Sequence, residues 1–156
     1  MIRIQAAPFD PEVELRDFVD RQSDFGAIAS FAGYVRGEKG QVATLELQHY
    51  PGFTETEIEK ILKMARARFE ISDALVIHRY GPLGPGEAIV LVAAVSAHRK
   101  PAFEAVDFLM DYLKTDAPFW KREISPEGAS NWIEPRSQDR QARLEWETTG
   151  NDHADN

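Results

Sequence analysis

Lys114 and Lys121 bracket Pro118, Phe119 and Trp120 in the stretch LKTDAPFWKRE, and Arg122 and Glu123 follow at once. Two lysines sharing a pocket depress each other's pKa, so one could act as a general acid or base near neutral pH, or as a nucleophile. Spacing alone does not choose among these roles. A plainer reading also fits. Lys114 would end a helix, where a cation is favoured by about 0.3–1 kcal/mol, and Lys121 would lay its stem along aromatics with its head in water. For the lysines to meet, the Pro118 turn must fold a strand back beside the helix end, with Phe119 as a wall.

A second basic group lies in SAHRKP (96–101), between an apolar strand and a helix start. A helix N-terminus favours an anion, and His98 and Arg99 would add charge and hydrogen bonds. Arg99 and Lys100 solvating a loop is the competing reading. Arg36 closes a strand and Arg136 follows NWIEP, positions where a lone arginine usually meets solvent. His49 and His78 sit in strand patterns and read as packed or hydrogen-bonded. No His/Asp/Glu set has metal spacing, no glycine-rich loop suits a nucleotide, and no serine elbow is present. The residues alone reach a small anionic ligand at a Lys/Arg/His site.

The elements that must position these groups follow from periodicity. IRIQAA (2–7) alternates like a strand. Asp10 caps a helix with Pro11 at its first position, and Val13, Leu15, Phe18 and Val19 form its apolar side. GAIASFAGYVR (26–36) reads as a strand, GEKGQ as a turn, and VATLELQHY (42–50) as a returning strand. Thr54 and Glu57 suggest a capping box for a helix carrying Ile58, Ile61, Leu62, Ala65 and Phe69. ALVIHRY (74–80) is a strand, GPLGPGE (81–87) a turn, and AIVLVAAVSA (88–97) a central apolar strand. Pro101 opens a helix with Phe103, Val106, Met110 and Leu113 on one face, which ends by Ala117 because Pro118 follows. FWKREI (119–124) and NWIE (131–134) are strands, and 137–147 a short charged helix. In FWKREI, Phe119, Lys121 and Glu123 share one face, with Trp120, Arg122 and Ile124 on the other.

The 156 residues suit one α+β domain with a core of its own. Absence of cysteine excludes disulfides, thiolate nucleophiles and cysteine-type zinc sites. A net charge of −8 argues against nucleic-acid or membrane-surface binding. HRK (98–100) and WKR (120–122) are basic islands in this acidic chain. No leader layout or membrane-length apolar run is seen, so a cytoplasmic protein is expected.

The set FAGYVRG, LELQHYPGFTE, VIHRYGPLGPGE, SAHRKPAFEAVDFLMDYLKTDAPFWKRE and NWIEPR resembles the large, catalytic subunits of molybdopterin synthase, the MoaE family. The resemblance runs from about residue 5 to about 146 and implies an α/β-hammerhead fold, mainly antiparallel. It implies conversion of cyclic pyranopterin monophosphate to molybdopterin, with two sulfurs installed as a dithiolene. The donor would be the C-terminal Gly-Gly thiocarboxylate of a small ubiquitin-like subunit of the MoaD type. A homodimer with a small subunit at each outer end, a heterotetramer, is implied, with no cofactor or metal. Lys114 and Lys121 match the family's active-site lysines. Lys121, Arg122 and Glu123 match a substrate-contacting segment, as do Tyr34, Val35 and Arg36. His98 and Arg99 match an anion-binding pair contributed across the dimer interface, and Arg136 a basic residue nearby. The domain is expected over 1–147, with a disordered tail over 148–156.

Overall fold

β6 (Ala88–Ser96) is apolar at nearly every position because both of its faces are buried. Val90, Val92 and Ala94 point to one side, and Leu91, Ala93 and Val95 to the other. A strand covered on both faces needs helices above and below it. α1 (Pro11–Asp20) supplies one cover through Phe18, while α2 (Phe53–Arg68) and α3 (Arg99–Thr115) supply the other.

The computed structural model describes residues 1–149. β6 lies inside a four-stranded sheet in the order β1-β4-β6-β2, with β1 (Ile2–Gln5), β4 (Asp73–Arg79) and β2 (Ala27–Tyr34). Only the β1–β4 pairing in it is parallel. A second, antiparallel sheet runs β5-β3-β7-β8, from β5 (Gly81–Leu83), β3 (Thr44–His49), β7 (Phe119–Ile124) and β8 (Ser130–Ile133). Val35, Leu45, Leu47 and Leu83 form its small core. α4 (Ser137–Thr149) closes the described chain, an α+β fold with mainly antiparallel sheets. The boundary expected at 147 falls inside α4. Thr148 and Thr149 continue that helix, and the rest of the expected tail lies outside the described residues.

Four local expectations are corrected. β2 and β3 do not form a hairpin: β2 pairs with β6, and β3 with β5 and β7. The intervening turn, with Glu38 and Lys39 at φ 44° and 57°, carries the chain from one sheet to the other. GPLGPGE is not all turn, because its first residues form β5 against β3.

The α2 cap is shifted. Glu55, not Glu57, accepts from the Gly52 N–H at 2.7 Å, and buried Thr54 accepts from Tyr50 N at 3.0 Å. On α3, Phe103 is 65% exposed, while Ala102, Ala105 and Leu109 turn inward with Val106 and Leu113. Small alanines let the helix lie close to the sheet, a contact that counting large residues misses.

Candidate active site

The end of α3 creates the site. Asp116 N and Ala117 N both donate to Tyr112 O, at 2.8 and 3.1 Å, which tightens the last turn. Pro118 cannot continue the helix. Phe119 N then donates to Ala117 O at 2.8 Å, and β7 runs back alongside β3. Lys114 and Lys121 thereby line one cavity of about 740 Å³.

Alternation along β7 sorts its side chains. Phe119, Lys121 and Glu123 face the cavity. Trp120 packs edge-on against Tyr50 at 4.7 Å, on the other face. Arg122 is also on that face, ion-paired with Glu46 and lying over the Trp132 ring at 5.2 Å. Glu46 and Arg122 sit opposite each other in the β3–β7 register, which fixes this pairing. Arg122 is therefore outside the cavity, whereas its neighbours Lys121 and Glu123 are in it.

The opposite wall is the end of β2. Tyr34, Val35 and Arg36 all contribute, with Val35 buried and Arg36 exposed, 3.2 Å from Glu38. Val35 is tied to the turn before β6: its N–H donates to Glu87 O at 3.0 Å, and its carbonyl accepts from Gly86 N at 2.9 Å. That turn is clamped by buried Arg79, which donates to Glu87 Oε1 at 3.0 Å and twice to Ala6 O. Arg136, after β8, lies in the cavity lining as well.

His98 and Arg99 are elsewhere in the chain. Both are exposed at the start of α3. At about 1.5 Å per residue, Arg99 is roughly 22 Å along the helix from Lys114. Within one chain the structure does not bring them to the lysines.

Burial, and then the Lys114 ammonium, push Lys121 below the ordinary lysine pKa, while Asp139 opposes them. Lys121 therefore gives up its proton more readily than a free lysine. Behind Phe119 lies His78, stacked on it at 3.8 Å and held by burial to a pKa of about 4. Its Nδ1 is 2.9 Å from Arg79 O. His78 is thus a neutral backing to the cavity wall.

Asp139, on the first turn of α4, is a cavity residue that sequence reading did not single out. Its Oδ1 is 3.4 Å from Lys114 Nζ. In SQDRQARLEWE it is one charge among many, and nothing local marks it. Among the described residues, no group of three or more His, Asp or Glu is placed to hold a metal ion.

A cavity with two lysines, one of them made more acidic, and a pair of flanking arginines suits acid–base group transfer on an anionic substrate. The chain matches the family model described as MoaE protein over residues 4–116. It is 46% identical over 147 residues to the molybdopterin synthase catalytic subunit of Caulobacter vibrioides, spanning 94% of this chain and 97% of that one. The MoaE protein of Burkholderia ambifaria superposes with a TM-score of 0.80 at 45% identity, over 94% of this chain and 97% of that one. The molybdopterin synthase structure from Staphylococcus aureus gives 0.75 at 30% identity, over 84% and 95%. The chain belongs to the MoaE family. Its activity is that of the family's catalytic subunits, sulfur transfer in molybdenum cofactor biosynthesis.

Proposed function

We propose that the cavity between β2, β7 and α4 receives the C-terminal thiocarboxylate of a small ubiquitin-like sulfur carrier of the MoaD type. There it meets cyclic pyranopterin monophosphate, which becomes molybdopterin. The observation that carries this reading is the convergence of Lys114 and Lys121 on one cavity. Lys121, with its more acidic ammonium, exchanges protons with the pterin as sulfur is installed. Lys114, more exposed, holds the anionic end of the carrier tail. Arg36 and Arg136 offset the charge of the pterin phosphate, and Glu123 and Tyr34 shape the bound substrate's surroundings. Arg122 acts from behind, keeping β7 in register through Glu46.

His98 and Arg99 complete the site from a second copy of the chain. Two features support a homodimer. β2 stands at the end of its sheet with an outer edge unpaired among the described residues. Beside it Phe31 and Phe103 are 42% and 65% exposed, an apolar border suited to burial between copies. A carrier at each outer end then gives a heterotetramer. The cytoplasm is the compartment proposed. No helix among the described residues is long and apolar enough to cross a membrane.

The test is reconstitution from this protein, a thiocarboxylated carrier and cyclic pyranopterin monophosphate. Molybdopterin formed only when all three are present supports the reading. Tight carrier binding without product would make the chain a binding module instead.

A further inference from the structure

Lys114 already has a partner. Its ammonium lies 3.4 Å from Asp139 Oδ1, and among the described residues no other carboxylate is within ion-pair distance of it. Two other acids of the cavity lining are engaged with other groups: Glu38 pairs with Arg36 at 3.2 Å, and Glu134 with Arg140 at 3.7 Å. Asp139 sits in the first turn of α4, where the positive end of the helix dipole favours an anion.

α4 is held in place by the Trp146 ring, which packs edge-on against Phe69 and Phe108 of the core, and by polar contacts to α3. Trp146 Nε1 donates to Asp111 Oδ2 at 2.8 Å, and Arg143 donates to Asp116 at 2.9 Å with its guanidinium 5.0 Å over Tyr112. Both anchors are on or just past α3, the helix that carries Lys114. α4 is thus a strap on α3 that delivers one carboxylate to the lysine side of the cavity. It lies beyond the segment that the family model matches.

We propose that Asp139 is a positioning residue for Lys114, its counter-ion before the carrier binds, which yields to the carrier's anionic C-terminus and afterwards competes it off. This rests on the function proposed above. After sulfur has left, the carrier ends in a carboxylate lying among Lys114, Lys121, Arg36 and Arg136. Cations so placed would retain it. Exchange with Asp139 lets the spent tail leave without exposing a bare ammonium, and no covalent bond changes. The cavity trades one carboxylate for another.

The test measures binding of two carriers, one ending in an ordinary carboxylate and one in a C-terminal amide. Wild type, Asp139→Asn and Asp139→Glu are compared at low salt. Asp139→Asn should bind the carboxylate form roughly three- to fivefold tighter, as loss of one partly exposed competitor implies, and the amide form unchanged. Asp139→Glu should restore wild-type affinity, and added salt should shrink the difference. In a Lys114→Gln background, the effect of Asp139→Asn should shrink to the weaker influence that Asp139 has on Lys121. Equal affinities for wild type and Asp139→Asn, or equal weakening of both carrier forms, would overturn the proposal and leave Asp139 a prop for α4. If wild type binds neither form, the carrier reading itself falls, and this proposal with it.

Discussion

The imidazole of His78 lies flat on the ring of Phe119, with centroids 3.8 Å apart and planes 15° from parallel. β4 of one sheet thus supports β7 of the other directly behind the lysine cavity. The stack requires a neutral imidazole, because a buried charge there would be desolvated and would face the Lys121 ammonium.

A pH dependence of stability follows. His78 is held to about 4 when folded and returns to its ordinary value of 6.5 on unfolding. Between those values the unfolded chain binds more protons, so the stability contribution is present above pH 6.5 and is lost as pH falls towards 4. The loss is of order 3 kcal/mol. Urea unfolding of wild type and His78→Phe across this window should show a shallower decline in the variant. Parallel curves would show that His78 does not titrate as its burial implies.

Lys121 is expected to cost stability. Its folded pKa is depressed by burial and Lys114, so the charged form is disfavoured on folding. The resulting penalty is fully present at neutral pH and is relieved only as pH rises through the folded value. Lys121→Met should therefore melt at a higher temperature than wild type at pH 7 while losing activity. The gain in Tm should shrink as pH is raised towards the ordinary lysine value of 10.5. A lower Tm at neutral pH would mean that the lysine is stabilising where it stands.

How far these features could be read in advance differs from one residue to the next. The Phe119/Lys121/Glu123 face was legible because strand alternation is local and strict. The stop at Ala117 was legible because Pro118 dictates it. Which face of β7 turns inward was not, since that depends on β3, whose partner Glu46 captures Arg122 far along the chain. β3 itself was misassigned to β2 because a short polar turn between two alternating segments looks like a hairpin, and only the packing of Leu45 and Leu47 against Val35 and Leu83 favours the crossing. The Phe103 error has a similar origin: α3 meets its sheet through alanines. Asp139 was out of reach because its meaning comes from α4 docking onto α3.

The Arg79–Glu87 clamp should govern Arg36 at a distance. Arg79→Leu removes charge-assisted bonds to Glu87 and Ala6 and should cost about 2–3 kcal/mol in chemical denaturation. Glu87→Gln is milder, leaving Arg79 partly bonded, but it loosens the turn to which Val35 is tied. It should raise KM for the pterin with little change in kcat. In an Arg36→Ala background that KM effect should vanish, because Glu87 acts through the Val35–Arg36 segment. Additive effects would show the clamp to be structural only.

The dimer proposal yields a complementation result. Arg99→Ala and Lys121→Ala chains should each be nearly inactive alone. Co-refolded, the mixed dimer contains one cavity with Lys121 from one copy and Arg99 from the other, both intact. Activity should then recover in proportion to mixed dimers formed. No recovery, with mixed dimers verified by mass, would show that Arg99 does not act across the interface.

The most direct measurement is single-turnover formation of molybdopterin by Lys121→Ala, with thiocarboxylated carrier and cyclic pyranopterin monophosphate both saturating. Saturation removes binding from the comparison and leaves the transfer step. The expected result is a loss of about a hundredfold or more, the usual range for a lost acid–base group, with folding and carrier binding intact. Transfer within about twofold of wild type, a difference under 1 kcal/mol, would remove Lys121 from the chemistry and contradict the assignment of this cavity as the sulfur-transfer site.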